Sequence, residues 1–169
     1  MGLMQGPHQP SARERFSERL FLVVVSAAVL AAADLSVKAS VPTPPWYFHQ
    51  RSSAWVALSL GVLIFLLALA AVPSRAVAIA AGVMGGGVIG NLISARLDGN
   101  RVPNPFLLGD RTNGIAFNLA DLFVLSGNLL LVVALIAVTI RSRHRLLPPR
   151  DWKHALRRRE HALRRRLRS

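Results

Sequence analysis

Four stretches of mainly apolar residues follow one another along the chain, at about 20–41, 54–72, 76–93 and 119–140. Each is close to the roughly 20 residues with which a helix crosses a bilayer core about 30 Å thick. Hydrocarbon offers no partner to open backbone groups, so such spans must be helical. The pattern predicts an all-α integral membrane protein with four transmembrane helices. A basic segment, 1–19, precedes this membrane domain of residues 20–140, and an arginine-rich tail, 141–169, follows it.

The first apolar stretch is open to a second interpretation. Three arginines precede it, and the alanines at 31–33 offer an A-x-A cleavage site, as in a secretory signal peptide. Three further spans follow, and an uncleaved first helix is therefore the simpler prediction.

The positive charges predict how the helices are oriented, because cytoplasmic segments of membrane proteins carry an excess of lysine and arginine. The tail holds twelve Lys and Arg against two acids, so we expect it in the cytoplasm. With an even number of spans the N-terminus lies there too. The segments 38–53 and 94–118 then lie on the outer side of the membrane.

The tail repeats the sequence HALRRR at 154–159 and 161–166. Its charge alone accounts for retention in the cytoplasm. Basic residues also favour docking on anionic lipid head groups, at about 1 kcal/mol per residue near the surface. RNA binding is the alternative role for this segment.

Composition agrees with a membrane protein and excludes several kinds of site. Charged residues make up 17% of the chain, against about 25% in soluble domains. The net charge of +13 comes mostly from the two ends rather than from a folded face with aromatics, which argues against nucleic acid as a partner. Without cysteine there is no disulfide, thiolate nucleophile or iron–sulfur cluster, and no HExxH zinc motif is present. We expect no metal and no organic cofactor.

Polar residues interrupt three of the four spans at the predicted outer side. Asp34 lies near the end of the first, Asn91 near the end of the third, and Asn118 and Asp121 at the start of the fourth. A carboxylate near hydrocarbon costs about a few kcal/mol, so it indicates function. Structural roles stay open: Asp34 and Lys38 have the spacing of a helical ion pair, and Asn118 and Asp121 that of a capping box.

Small residues recur along the third span, at Gly82, Gly86 and Gly90. Four-residue spacing places them on one face of a helix. Such a stripe lets another membrane helix approach closely. By itself it indicates packing rather than chemistry.

Three short motifs fall at these polar positions. Residues 116–121 read AFNLAD, residues 90–93 read GNLI, and residues 34–38 read DLSVK. In this order they resemble the F-N-x-A-D, G-N-L-I-D-R and D-Q-x-[ST]-K elements of the lipoprotein signal peptidase (signal peptidase II) family, which are four-helix membrane aspartic proteases. The resemblance covers roughly residues 20–141, and the F-N-x-A-D match is its most specific part.

The resemblance implies a multi-pass protein of a bacterial-type cell (inner) membrane. Its substrate would be a prolipoprotein, cut before the diacylglyceryl-cysteine. Asp121 would act in acid–base chemistry, with Asn91 and Asn118 orienting the site and Asp34 in a positioning role. Neither a metal nor a cofactor is implied.

One of the family's two catalytic aspartates is not evident. The element V-x-D-F corresponds to residues 102–106, VPNPF, in which Asn104 takes the aspartate's place, while an ungapped count leaves Pro103 open as the alternative. The Asp-Arg pair that follows G-N-L-I in the family is also replaced, by Ser94 and Ala95. Hydrolysis by an aspartic dyad needs two carboxyl groups that share one proton, and asparagine cannot exchange that proton.

Two other acids flank this loop and are candidates to replace the missing one. Asp98 and Asp110 both have turn-forming neighbours, which favour solvated positions. Three functions therefore stay open. They are an active signal peptidase II-like endopeptidase, a catalytically degenerate member of the same fold that binds lipidated peptides or lipid, and a small ion or proton transporter that uses Asp34 and Asp121.

Overall fold

A computed structural model describes residues 10–143 of the chain. The repeat in the basic tail lies outside the described residues, and so do residues 1–9. The interpretations of these two segments stay predictions.

Four long helices make up most of the described chain: α1 (Ala12–Ser40), α2 (Ser53–Ala68), α3 (Arg75–Leu97) and α4 (Leu119–Ser142). A 3₁₀ turn, Leu69–Ala71, prolongs α2. With this extension, all four helices are long and apolar enough to cross a membrane. They confirm the four-span helical fold that the hydrophobic pattern predicts. Which side each end faces stays a prediction.

Helix α1 begins before its apolar stretch does. The hydroxyl of Ser11 accepts a hydrogen bond from the backbone N–H of Glu14 at 3.2 Å, and the Glu14 carboxylate accepts one from the backbone N–H of Ser11. This capping box supplies partners to amides that the first turn leaves open. The helix therefore starts at Ala12 and includes part of the basic segment, rather than starting near residue 20.

Helix α3 is the central helix of the described part. Of its most apolar 18-residue window 61% is buried, against 17–22% for the other three helices. Its glycine stripe faces α1, with Gly82, Gly86 and Gly90 lying against Ser26, Leu30 and Asp34 respectively. Both sets advance by four residues in the same direction, so α1 and α3 run parallel. The stripe thus packs two helices, as its spacing predicts.

The other side of α3 packs against α4. Gly87 of α3 lies against the backbone of Ala120, and Gly127 of α4 lies against Met84. The contact with the later residue of α4, Gly127, is made by the earlier residue of α3, Met84. The two helices are therefore antiparallel. The start of α4 therefore lies at the same end as the last turns of α1 and α3, as the polar positions predict.

The contact at Gly90 gives a test of this packing. A methyl group there would lie 2.5 Å from Oδ2 of Asp34, so we expect Gly90→Ala to lower the free energy of unfolding by about 1–3 kcal/mol, the usual cost of overpacking. Thermal unfolding in detergent micelles measures it. The matched control is Gly61→Ala in α2, where an added Cβ meets nothing within 4 Å. Equal stabilities of the two variants would contradict the close approach of α1 and α3.

Helix α2 packs on α3 with Leu66 close to Gly85, and an empty space lies on each side of it. One is an apolar groove of about 420 Å³ shared with α1 and α3. The other is a cleft on the side of α4, and Asn91 and Asp121 are among its lining residues.

Two small antiparallel sheets lie in the segments between the helices. Strand β1 (Phe48–Gln50) pairs with β2 (Arg101–Pro103), and β3 (Phe106–Leu108) pairs with β4 (Ile115–Phe117). Strands of three residues are too short for the alternation that identifies a strand in a sequence, and the sequence-based prediction does not include them. The β1–β2 pair brings the segment after α1 next to the segment after α3.

The chain divides after Leu135 into two units. Every residue of the site described below belongs to the first unit. The second begins at Ile136, and its described part is the last stretch of α4 with the residue that follows it.

Candidate functional site

A buried ion pair lies where α1 meets the start of α4. Nζ of Lys38 is 2.7 Å from Oδ2 of Asp34, whose side chain is fully buried. The second carboxylate oxygen, Oδ1, accepts a hydrogen bond from the backbone N–H of Ala120 at 2.8 Å. The spacing of four residues predicts the pair. The bond to Ala120 adds that Asp34 also holds the first turn of α4 in place.

Asn91 connects this ion pair to Asp121. Its Oδ1 accepts a hydrogen bond from Nζ of Lys38 at 2.8 Å, and its Nδ2 donates one to Oδ1 of Asp121 at 3.0 Å. The side-chain amide of Asn91 thus accepts a hydrogen bond on one side and donates one on the other. Three of the sequence-predicted site residues, Asp34, Asn91 and Asp121, are brought together in this way.

Asn118 and Asp121 form a reciprocal cap at the start of α4. The backbone N–H of Asp121 donates to Oδ1 of Asn118 at 2.9 Å, and the backbone N–H of Asn118 donates to Oδ2 of Asp121 at 3.2 Å. The geometry confirms the structural role that the spacing predicts. It also fixes the orientation of the Asp121 carboxylate, because each of its oxygens now accepts one bond.

The loop residue Asn104 belongs to the same cluster. Nδ2 of Asn118 donates to Oδ1 of Asn104 at 2.7 Å and to Oδ1 of Asn91 at 3.0 Å. Of the two loop residues that correspond to the family's aspartate, Asn104 contributes its side chain, while Pro103 contributes only a carbonyl, 3.4 Å from Nδ2 of Asn118.

The amide nitrogen of Asn104 is bound as well. Its Nδ2 donates to the carbonyl of Ala116 at 3.0 Å and lies 3.1 Å from Nδ1 of His49. The backbone N–H of Asn104 donates to the carbonyl of Tyr47 at 3.1 Å. The pairing of β1 with β2 produces the contacts with His49 and Tyr47. Sequence reasoning missed His49 because the two residues are 55 positions apart.

The two acids that flank the loop lie elsewhere. Asp98 follows α3 as its C-terminal cap and lines a separate cavity of about 350 Å³. Asp110 is exposed, and its carboxylate accepts hydrogen bonds from Thr112 and the backbone N–H of Asn113. The Thr112 hydroxyl and these two amides lower the pKa of Asp110 from its usual value. Among the described residues, neither acid takes part in the hydrogen bonds that surround Asp121.

The cluster therefore contains two carboxylates with different partners. Asp34 is matched by Lys38, whereas Asp121 accepts hydrogen bonds from the neutral groups of Asn91 and Asn118. No hydrogen bond joins the two acids, and each has partners of its own. Within residues 10–143, no group of three His, Cys, Asp or Glu is placed to hold a metal ion.

A cleft of about 560 Å³ opens onto Asp121 and Asn91. Ligand sites commonly have volumes of about 300–1,000 Å³. The cleft is lined by residues of α2, α3 and α4 and by Arg51, which lies just before α2: Arg51, Trp55, Leu58, Ser59, Val62, Met84, Val88, Asn91, Asp121, Val124, Leu125 and Asn128. Its polar residues lie mainly at the end that holds the cluster. Arg51, Trp55 and Asn128 were not candidates from the sequence, where no motif connects them.

No family model and no curated protein matches this chain. Among solved structures, a chain described as a bacterial membrane enzyme, determined by the in meso method at 2.3 Å resolution, matches with a TM-score of 0.52. The two chains are 17% identical, and the match covers 75% of this chain and 94% of the other. This chain shares the fold of that membrane protein.

At that identity the likeness concerns the fold. It supports a multi-pass helical membrane protein, in agreement with the four helices. A likeness of fold does not identify the family, the reaction or the kind of membrane.

Proposed function

We propose that this protein binds lipid-modified peptides of the prolipoprotein type in the cleft between α2 and α4, and that it does not hydrolyse them. The observation that carries the proposal is the hydrogen bonding of Asn104. Its amide takes a place in the cluster beside Asn118, where the resemblance to signal peptidase II implies a catalytic aspartate. The site keeps one carboxylate without a cationic partner within residues 10–143, that of Asp121, whose oxygens accept hydrogen bonds from Asn91 and Asn118.

The chemistry of an aspartic dyad explains why binding remains while hydrolysis is lost. One carboxylate must take a proton from water while a second carboxyl group gives one to the substrate carbonyl. Asp34 is occupied by Lys38 and by the backbone of Ala120. The apolar part of the cleft is independent of this step, since it is formed by side chains of three helices such as Leu58, Val88 and Leu125.

The cleft suits a ligand that is part lipid and part peptide. Apolar residues such as Val62, Val88 and Val124 line it alongside the hydrogen-bonding groups of Asn91 and Asp121. An acyl chain would be buried against the former, and a peptide backbone would exchange hydrogen bonds with the latter. Such a protein would act in a bacterial-type cell membrane, either as a carrier or as an assistant of lipoprotein processing.

The test is binding of a synthetic peptide that carries a diacylglyceryl-cysteine, measured by fluorescence anisotropy with the purified full chain in detergent micelles. We expect saturable binding that the unlipidated peptide does not show, and no cleavage product by mass spectrometry. Val62→Trp, which fills the cleft, should weaken binding by about tenfold or more. Leu60→Trp is the matched control, since Leu60 is exposed on the same helix and does not line the cleft.

The same assay distinguishes a binding protein from an active endopeptidase. Cleavage that disappears in Asp121→Asn would establish an active endopeptidase in place of a binding protein. Lipopeptide affinities that are equal for the two tryptophan variants would contradict the cleft as the binding site.

A further inference from the structure

Arg51 has a cationic side chain in the cleft without a carboxylate partner among the described residues. Its guanidinium lies 4.9 Å from the centre of the Trp55 ring. Its Nε is buried and has no hydrogen-bond partner, and no carboxylate of the described residues forms an ion pair with it. Its backbone N–H donates to the carbonyl of Asn100 at 2.7 Å, which fixes the residue at the start of α2. The N–H donors on its terminal nitrogens form no hydrogen bond with the described residues, so they can bind a ligand in the cleft.

Asp121, on the α4 side of the same cleft, is also incompletely matched. Its carboxylate accepts two hydrogen bonds, from Asn91 and from the backbone of Asn118. An ionised carboxylate has about four acceptor positions. The other buried charges near the site, Asp34 and Lys38, match each other. The cleft therefore offers one unmatched cation and one partly matched anion, which are not paired with each other.

The walls decide what kind of molecule brings the complementary charges. Leu58, Val62, Val88, Val124 and Leu125 are apolar and line the same space as the two charged residues. A ligand that fits must therefore carry both signs of charge close together, together with an apolar chain. Phospholipids with a zwitterionic head group have this chemistry.

We propose that the cleft binds a phospholipid whose head group carries a phosphate and a primary ammonium. The phosphate lies on the guanidinium of Arg51, the ammonium lies on the carboxylate of Asp121, and an acyl chain occupies the apolar part of the cleft. A purely anionic head group would place its charge against Asp121 without compensation, so the zwitterion is preferred. This lipid is the resident occupant that a lipid-modified peptide displaces; its binding does not depend on that peptide.

Native mass spectrometry of the full chain, released from micelles that contain phosphatidylethanolamine and phosphatidylglycerol in equal amounts, tests the proposal. We expect one retained phosphatidylethanolamine per chain. Arg51→Gln should lower its retention by about tenfold or more, the loss typical of a charged hydrogen bond to phosphate. Asp121→Asn should abolish the preference for phosphatidylethanolamine over phosphatidylglycerol. Arg51→Lys, which keeps the charge, should retain part of the binding.

Arg101→Gln is the matched control. Arg101 also stacks on an aromatic ring, that of Phe48 at 5.4 Å, but it does not line the cleft, so its variant should bind as the parent does. Retention that is unchanged in Arg51→Gln would overturn the proposal, and so would an Arg51-dependent preference for phosphatidylglycerol. Phosphatidylethanolamine retention without lipopeptide binding would refute the proposed function alone, and the reverse result would refute the resident lipid alone.

Discussion

Replacing Asn104 by aspartate is expected to give this protein a measurable endopeptidase activity. The parent amide accepts from Nδ2 of Asn118 at 2.7 Å and donates to the carbonyl of Ala116 at 3.0 Å. The introduced carboxyl group keeps the first bond with one oxygen. Its second oxygen faces the carbonyl of Ala116 and can bond to it only when protonated. The carbonyl of Ala116 thus favours the neutral form of the introduced acid, which the dyad needs beside the carboxylate of Asp121.

The expected gain is large because a general acid–base group typically contributes a factor of about 10²–10⁴ to the rate. Cleavage of the diacylglyceryl-cysteine peptide by Asn104→Asp, followed by mass spectrometry, should exceed that of the parent by about 10²-fold or more. The double variant with Asp121→Asn should return to the background. If Asn104→Asp binds the lipopeptide as the parent does and cuts nothing, the result would contradict the prediction that Asn104 is what prevents hydrolysis.

Removing the amine of Lys38 is expected to destabilise the protein strongly. Lys38→Met leaves the carboxylate of Asp34 fully buried without its cation. Breaking one half of a buried ion pair commonly costs about 3–5 kcal/mol, because a charge remains without compensation. It also removes the donor to Oδ1 of Asn91, 2.8 Å away. We expect the free energy of unfolding in micelles to fall by that amount.

Two further variants show whether the burial of the charge is the cause. Adding Asp34→Asn to Lys38→Met removes the uncompensated charge and should recover part of the loss. Arg75→Met breaks the exposed pair with Glu18 at the other end of the helices and should cost at most about 1 kcal/mol. A loss in Lys38→Met no larger than that in Arg75→Met would contradict the buried ion pair.

The features that sequence reasoning predicted are those set by local spacing. The glycine stripe, the Asp34–Lys38 pair and the Asn118–Asp121 cap all join residues three or four positions apart on one helix. In a helix that spacing fixes a shared face, so the sequence alone determines the geometry. The four spans follow from a similar constraint, because a bilayer sets both the length of a helix and its apolar character.

The features that it missed depend on contacts between distant segments. The contact of His49 with Asn104 comes from two strands of three residues each. Arg51 faces the cleft only because α2 and α4 stand apart on the surface of α3. The motif resemblance left both Asn104 and Pro103 as the position of the missing aspartate. Only the folded loop shows that the side chain of Asn104 is the one in the cluster. Pairings of this kind leave no regular pattern along the chain.

The position of α2 between two empty spaces has a mechanical consequence. Its support is a narrow strip on α3, with the groove on one flank and the cleft on the other. An element with few buried contacts opens at a lower free energy than its neighbours. Unlike α1, α3 and α4, α2 contributes no side chain to the hydrogen bonds of the buried polar cluster, so it can tilt at a low cost in free energy. The 3₁₀ turn at Leu69–Ala71 holds the far end of α2 in place, because Ala70 is buried and its carbonyl accepts a hydrogen bond from Nε of Arg19 at 2.8 Å. A large ligand would then enter the cleft laterally from the bilayer, while the packing of α1, α3 and α4 would stay unchanged.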